Sequence, residues 1–242
     1  MKIYVSPQGS DDSPGTFDSP LASPTAALLK ARQARTATPD ERIDIILRGG
    51  TYALDDTLTI LPEDSGSESA PLVFSAHPGE QPVISGGRRI TDWRDGTING
   101  QACWIAELPD VASGEWTFTQ LFVDDMRHQR PRLPKDGYYR FTGLDGQGNS
   151  GMDFWNGPTH AEFKAGDISE WHNLEDVVLV PLMIWFEQHI HIDRIDLEAN
   201  IVHFKKRSIN CLIDEKEEFS RYFVENIKEA VEEPGDWYLD RK

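Results

Sequence analysis

Apolar and polar positions change rhythm several times along the chain. Ile3-Tyr4-Val5 predicts a short strand, and Ser6-Pro7-Gln8-Gly9-Ser10-Asp11-Asp12-Ser13-Pro14-Gly15 is dense in residues that favour turns. Ser23 ahead of Pro24 suits an N-cap and first-turn pair. Ala26, Ala27, Leu28, Leu29, Ala31 and Ala34 then predict a helix, with Lys30, Arg32 and Arg35 toward its negative pole. Four β-like runs follow: Ile43–Leu47, Thr57–Leu61, Leu72–Ser75 and Val83–Ser85. Tight Gly/Pro turns part them and no helix-period segment intervenes, which disfavours a βαβ sheet. Such spacing fits a solenoid of stacked parallel coils whose first coil the helix near Pro24 would cap. A plain β-sandwich fits the same texture, and periodicity does not choose between them.

After Trp93 the predicted strands lengthen: Cys103–Leu108, Thr117–Val123, Val177–Val180, Ile184–Asp193 and Ile201–Lys205. Ile184, Phe186, Ile190 and Ile192 share one face, and Glu187, His189, His191 and Asp193 share the other. An antiparallel sheet with one wet face requires that alternation. Leu144 to Gly157 reads as a long Gly-rich loop. Three segments result: 1–92 with the cap helix and first coils, 93–213 as an inserted antiparallel module, and 214–242 as a return to the coils. In the last, Asn226–Glu232 predicts a short helix and Trp237-Tyr238-Leu239-Asp240 a strand without a partner, so an incomplete chain is expected.

Composition narrows the function classes. The 242 residues carry 24 Lys and Arg against 41 Asp and Glu, a formal charge of −17 spread along the sequence. A surface of that sign repels phosphate backbones and anionic lipid, so neither nucleic acid nor membrane is an expected partner. The apolar run Val177–Phe186 contains Pro181 and falls well short of the ~20 residues a spanning helix needs. Cys103 and Cys211 form no CxxC pair, which argues against a disulfide framework or a zinc site. Lys2 leads into Ile3-Tyr4-Val5 without an apolar leader, so the sequence as written is expected to be reduced and cytoplasmic.

Three groups of residues bear on chemistry. Adjacent acids, Asp55-Asp56, Asp124-Asp125 and Glu232-Glu233, supply carboxylates of the kind glycoside hydrolysis uses, but such neighbours point to opposite sides of a strand or sit in turns, and solvated acids that keep the surface soluble are the expected account. Glu187, His189 and His191 on one strand face, with His203 or His172 from elsewhere, match a metal-ligand spacing. The wet face of an amphipathic strand accounts for the same residues, and we expect neither metal nor cofactor. Arg127, Arg130 and Arg132 with Tyr138, Tyr139 and Phe141 form a basic-aromatic segment in an acidic chain. With Trp155 on the Gly-rich loop, Arg130, Arg132, Tyr138 and Tyr139 are the candidate substrate-binding residues: aromatic faces stack on sugar C–H surfaces, and guanidinium groups donate to hydroxyls or carboxylates. The plainer account has Tyr and Phe filling the module's core while Arg pairs with nearby acids. Gly49-Gly50 and Gly86-Gly87 lack a following Lys-Ser/Thr helix start, so turn geometry rather than phosphate binding explains them.

Several strings in order, taken together, resemble the N-terminal part of bacterial right-handed parallel β-helix proteins of the glycoside-hydrolase type (α-L-fucosidase, xylanase and β-xylosidase-like). They are Tyr4-Val5-Ser6-Pro7 with Gly9, Asp12 and Pro14-Gly15-Thr16; Leu47-Arg48-Gly49-Gly50-Thr51-Tyr52; and Pro78-Gly79-Glu80 before Pro82-Val83-Ile84-Ser85-Gly86-Gly87. Gln120-Leu121-Phe122-Val123 leading to Arg130-Pro131-Arg132-Leu133-Pro134, and Glu233-Pro234-Gly235-Asp236-Trp237-Tyr238-Leu239-Asp240, complete the series. The resemblance implies an all-β fold: the cap and first coils of a parallel β-helix, interrupted by an antiparallel β-sandwich-like insert. It also implies a polysaccharide or oligosaccharide as partner, with catalytic carboxylates on later coils. No residue here matches those carboxylates, so no catalytic residue is carried over. The expected role is the non-catalytic N-terminal portion of a protein that hydrolyses glycosidic bonds. A self-contained glycan-binding or scaffold module is the alternative.

Overall fold

The computed structural model describes residues 1–144 and 155–241. Most of its regular structure is β, with few and mainly short helices. The chain divides into two compact units, Met1–Ile90 and Thr91–Lys242. No helix among the described residues is long and apolar enough to cross a membrane.

In the first unit, β1 (Lys2–Val5) opens a parallel sheet. After it come helix α1 (Pro24–Ala37), β2 (Ile43–Leu47), β3 (Gly50–Ala53), β4 (Leu72–Ala76) and β5 (Pro82–Ser85). The strands make two parallel ladders, β1-β2-β4 and β3-β5. Ile3 pairs with Ile45, and Ile45 with Phe74. Alternate residues of β1 and β2 (Ile3, Val5, Ile43, Ile45 and Leu47) are buried, and Ala27 and Ala31 of α1 belong to the same core. The helix starts where the sequence predicts: the Ser23 hydroxyl accepts from the Ala26 N–H at 3.0 Å. Asp11 anchors that cap by accepting from the N–H groups of Ala22 and Ser23, each at 2.8 Å.

Thr57–Leu61 is not a strand. Arg32 reaches the Thr59 carbonyl at 3.0 Å, and the Leu61 N–H donates to Asp64 at 2.7 Å, so side chains take backbone groups that a ladder would have used. Gly50–Ala53, unassigned in the sequence reading, pairs with β5 instead. Asp64 is buried and receives Arg32 Nε and Nη2 at 2.6 and 2.8 Å. Those bonds hold its carboxyl below the ordinary aspartate value. A lowered carboxylate stabilises the fold above its unfolded value, about pH 4, and that contribution disappears as pH falls through the lower folded value. Asp64→Ala is expected to lower stability by about 1–3 kcal/mol at neutral pH, read as a lower urea midpoint. The variant should also lose part of the wild-type acid sensitivity. An unchanged midpoint would refute this tie.

The second unit begins with two antiparallel hairpins. One joins β6 (Arg94–Ile98) to β7 (Gln101–Ile105), and the other joins β8 (Leu121–Val123) to β9 (Met126–His128). Asn99-Gly100 and Asp124-Asp125 form their turns, all four at positive φ, as the twist of two-residue hairpin loops demands. The main sheet has seven strands: β10 (Arg132–Leu133), β11 (Tyr139–Arg140), β12 (His160–Glu162), β13 (Val178–Leu182), β14 (Ile190–Asp196), β15 (Ile201–Phe204) and β16 (Arg221–Glu225). Its order is β10-β16-β13-β14-β15-β12, with β11 also on β16, and every pairing is antiparallel. Residues 221–225 thus sit inside this sheet, so the segment after 213 packs with the second unit. Phe141, Leu179, Ile192, Val202, Leu212, Tyr222 and Val224 form the heart of its core.

Several sequence expectations are corrected here. Ile184–Asp193 is not one strand, because Met183–Phe186 turns back on itself through a Met183 N–H to Phe186 carbonyl bond at 2.9 Å. β14 therefore starts at Ile190, and only its first residues keep the alternation, with Ile190 and Ile192 buried and His191 and Asp193 exposed. Asn226–Glu232 contains only a 3-10 turn, Lys228–Ala230. Trp237–Asp240 is not a strand. The Trp237 indole N–H donates to the His128 carbonyl at 3.2 Å, and the Trp237 ring stacks on Phe118 at 5.4 Å. Those contacts, with Leu239 in one buried cluster with Val111, enclose Trp237 without a strand partner. Within the Gly-rich stretch of 144–157, positions 145–154 lie outside the described residues.

Candidate functional site

Alternation along Arg221-Tyr222-Phe223-Val224-Glu225 builds the site. Tyr222 and Val224 are fully buried, so Arg221, Phe223 and Glu225 project from the opposite face of the sheet. Phe223 lies between the two charges. Register places Arg132 of β10 against Glu225, and the Arg132 guanidinium sits over the Phe223 ring at 4.2 Å. It also lies 5.3 Å from the centre of the Tyr138 ring, and the Arg221 guanidinium lies 5.4 Å from that same centre. Tyr138 is 47% exposed. The result is an aromatic pair, Tyr138 and Phe223, bracketed by two arginines at the β10–β16 edge.

Arg130 fills a different role from its neighbour. Its side chain is only 9% exposed, it donates to Glu225 Oε1 at 3.1 Å, and it lies over the Trp237 ring at 5.6 Å. Burial pushes the guanidinium below its ordinary value, against the opposing pull of Glu225. A group so enclosed clamps β16 to the preceding segment. Glu225 also faces His189, whose Nδ1 is 3.9 Å from its Oε1, while His189 Nε2 is 3.4 Å from Glu187.

The five candidate residues therefore part company. Arg132 and Tyr138 come together on the surface, with Arg130 buried beside them. Tyr139 faces inward, paired with Tyr222 at 5.6 Å between ring centres, and burial raises its hydroxyl above the ordinary tyrosine value. Trp155 is 76% exposed. The residues after it pack near β15, toward the other edge of the sheet: Asn156 accepts from Arg207, and a Cβ at Gly157 would lie 1.9 Å from the Ser208 carbonyl oxygen. Phe223, Arg221 and Glu225 were not singled out in the sequence, although their alternation with Tyr222 and Val224 carries the signal.

The other candidates disperse. His172 pairs with Asp240 at 3.3 Å, and His203 stacks on His160 at 5.2 Å, so neither joins Glu187 and His189. Partial desolvation, with a nearby cation (Lys205 for His191, Arg194 for His203), lowers both from the ordinary histidine value. Among the described residues no three His, Cys, Asp or Glu side chains are gathered for a metal ion. Asp124-Asp125 is a hairpin turn, and the N–H groups of Glu232 and Glu233 donate to Asp236 at 3.1 and 3.2 Å. Asp55-Asp56 borders a shallow surface depression with Leu54, Thr57 and Gly86. In the first unit the Arg48-Gly49-Gly50 and Pro78-Gly79-Glu80 strings serve the fold. Glu80 accepts from Arg48 Nε at 2.7 Å and from the Gly49 N–H at 2.6 Å, and the Tyr52 hydroxyl lies 2.9 Å from the Val5 carbonyl and 2.7 Å from that of Arg48. Gly50 has φ of 124°, and a Cβ there would press to 2.9 Å from the Pro7 ring.

Comparison with known proteins adds to this geometry. No protein-family description matches the chain. It is 44% identical over 84 residues, 35% of its length, to pectate lyase PEL9 of Emericella nidulans. It is 34% identical over 132 residues, 50% of its length, to the uncharacterized protein YwoF of Bacillus subtilis. These matches span 18% and 25% of the two relatives, so the chain covers a minor part of either. A solved structure titled glycoside hydrolase superposes on 99% of the chain with a TM-score of 0.72 at 24% identity, using 41% of that protein. The described fold is thus similar to that part of a glycoside hydrolase structure.

Proposed function

We propose that this chain is the capped, non-catalytic N-terminal portion of a carbohydrate-active protein of the right-handed parallel β-helix type, whose whole form hydrolyses glycosidic bonds in a polysaccharide. The observation that carries the carbohydrate part of this reading is the 44% identity over 84 residues to a protein named pectate lyase, an enzyme class that cleaves by elimination; hydrolysis rests on the family resemblance. Support for the architecture comes from the two parallel ladders of the first unit, where β2 and then β4 continue into β3 and β5 in turn. The shared fold with a glycoside hydrolase agrees with it. In this reading α1 covers the first coil and the antiparallel unit supplies a wall on which sugar rings rest. The adjacent acid pairs at 124–125 and 232–233 belong to turns, consistent with a non-catalytic role.

Affinity electrophoresis of the 242-residue chain through gels containing xylan, polygalacturonate or dextran tests the proposal, together with a reducing-end assay on the same polysaccharides. Retardation by at least one plant polysaccharide without release of reducing ends is expected. Release of reducing ends above the buffer level would overturn the non-catalytic role, and free migration in every gel would overturn the carbohydrate reading.

A further inference from the structure

We propose that Asn156-Gly157 is a site of spontaneous covalent modification, at which the asparagine amide leaves as ammonia and an aspartyl or isoaspartyl link replaces it. The inference is independent of the carbohydrate reading. The chain contains two Asn-Gly steps, Asn99-Gly100 and Asn156-Gly157, and both asparagines are exposed. A glycine after asparagine leaves the backbone nitrogen unshielded by a side chain, so both steps are open to the same reaction. The fold treats the two side chains in opposite ways. Asn99 donates from Nδ2 to the carbonyls of Lys228 and Val231 at 2.7 and 3.1 Å. Those bonds tie down the group that must leave and push electron density into the amide, which makes its carbon a poorer electrophile. Asn156 is gripped by the other end of its amide, where the Arg207 guanidinium donates to Oδ1. A cation on that oxygen draws charge from Cγ and meets the negative charge that develops there when a nucleophile adds. Among the described residues the Asn156 Nδ2 makes no hydrogen bond.

The nucleophile is available as well. Gly157 is buried, and its N–H donates to no acceptor among the described residues. The Gly157 nitrogen attacks Asn156 Cγ, the new N–C bond closes a cyclic imide, and the Cγ–Nδ2 bond breaks. Ammonia departs with the proton that the glycine nitrogen gives up. Water then opens the imide at either carbonyl to give aspartate or isoaspartate. Water is consumed, ammonia is released, and nothing is oxidised or reduced. The isoaspartyl form lengthens the backbone by a methylene at a point that has no room for it. A Cβ at Gly157 would lie 1.9 Å from the Ser208 carbonyl oxygen and 3.0 Å from that of Asn210. Modification therefore loosens residues 155–158 from 208–210, a contact in which the Ser208 N–H donates to the Pro158 carbonyl at 2.9 Å.

The test incubates the intact chain at mildly alkaline pH, which favours loss of the glycine amide proton. Peptide mapping by mass spectrometry follows each Asn-Gly step, and isoaspartyl methyltransferase labelling counts the rearranged product. In the native chain, conversion at Asn156 is expected to outrun that at Asn99 by at least about tenfold. In urea neither side chain is held, and the two rates should draw together. R207Q, checked for native circular dichroism and thermal midpoint, should slow Asn156 several-fold and leave Asn99 unchanged. R207K keeps a cationic donor and should retain more of the Asn156 rate than R207Q does. A native ratio no larger than the ratio in urea would overturn the assignment. An unaltered or faster Asn156 rate in folded R207Q would overturn it too, because the amide would then react without help from the cation. The comparison of native and urea-treated chain needs no variant, so it decides the question even where R207Q does not fold.

Discussion

Glu225→Ala will destabilise the second unit by about 3–5 kcal/mol, because it strands the Arg130 guanidinium in a site that is nine-tenths closed. Arg130 has no way to recover water there. Trp237 lies on one side of it, and its Nε already lacks a hydrogen-bond partner among the described residues. Urea unfolding followed by tryptophan fluorescence reads the loss directly. The double substitution Arg130→Met with Glu225→Leu removes both charges together and should recover most of the stability, since apolar groups of similar volume often replace a buried pair without cost. A single-variant loss below about 1 kcal/mol would mean that water reaches the pair and that Arg130 is not a clamp.

Tyr222→Ala should cost a similar amount, about 3–5 kcal/mol, through the cavity it leaves. Tyr222 is fully buried at the middle of β16, stacked on Phe141 with ring centres 4.2 Å apart and flanked by Tyr139. Strands on both sides of β16 close over that position, so the void has little means of collapse. Tyr222→Phe is the informative companion. The hydroxyl reaches Asp167 only at 3.5 Å, the long end of hydrogen-bonding range, so its removal should cost less than about 1.5 kcal/mol. Comparable losses in the two variants would show that the hydroxyl, and not ring packing, holds the site together.

The surface just outside this core and the core itself are one piece of backbone. Each inward residue of β16 is flanked by an outward one, so the rigidity that Tyr222 and Val224 give the strand also fixes Arg221, Phe223 and Glu225. A buried partner on either side of Phe223 limits how far its ring moves.

Much of the local structure was legible in the sequence because its causes lie within a few residues. Ser23 followed by Pro24 marked the start of α1, and the small apolar residues after it marked the packed face. Ile43–Leu47 and the runs near 72 and 83 are strands because short runs of β-prone apolar residues lie there between turn formers. Thr57–Leu61 has the same texture and fails, since Arg32, from the distant helix α1, takes the Thr59 carbonyl and nearby Asp64 takes the Leu61 N–H. Trp237 fails as a strand for a related reason: His128 and Phe118 supply its partners from more than a hundred positions upstream.

By itself the sequence determined the turn chemistry, the cap, the mostly β character and the acidic surface, since each depends on residue type and near neighbours. Tertiary structure alone decided which of the basic and aromatic residues are enclosed and which stay near the surface. Arg130 and Arg132 are two positions apart and chemically identical, yet one meets Glu225, 95 residues away, in a closed site, and the other lies open on Phe223. Tyr138 and Tyr139 are adjacent, and pairing of β11 with β16 begins at Tyr139, which packs against Tyr222 while Tyr138 stays exposed. Sheet register makes these assignments, and register is a property of strands brought together from distant parts of the chain.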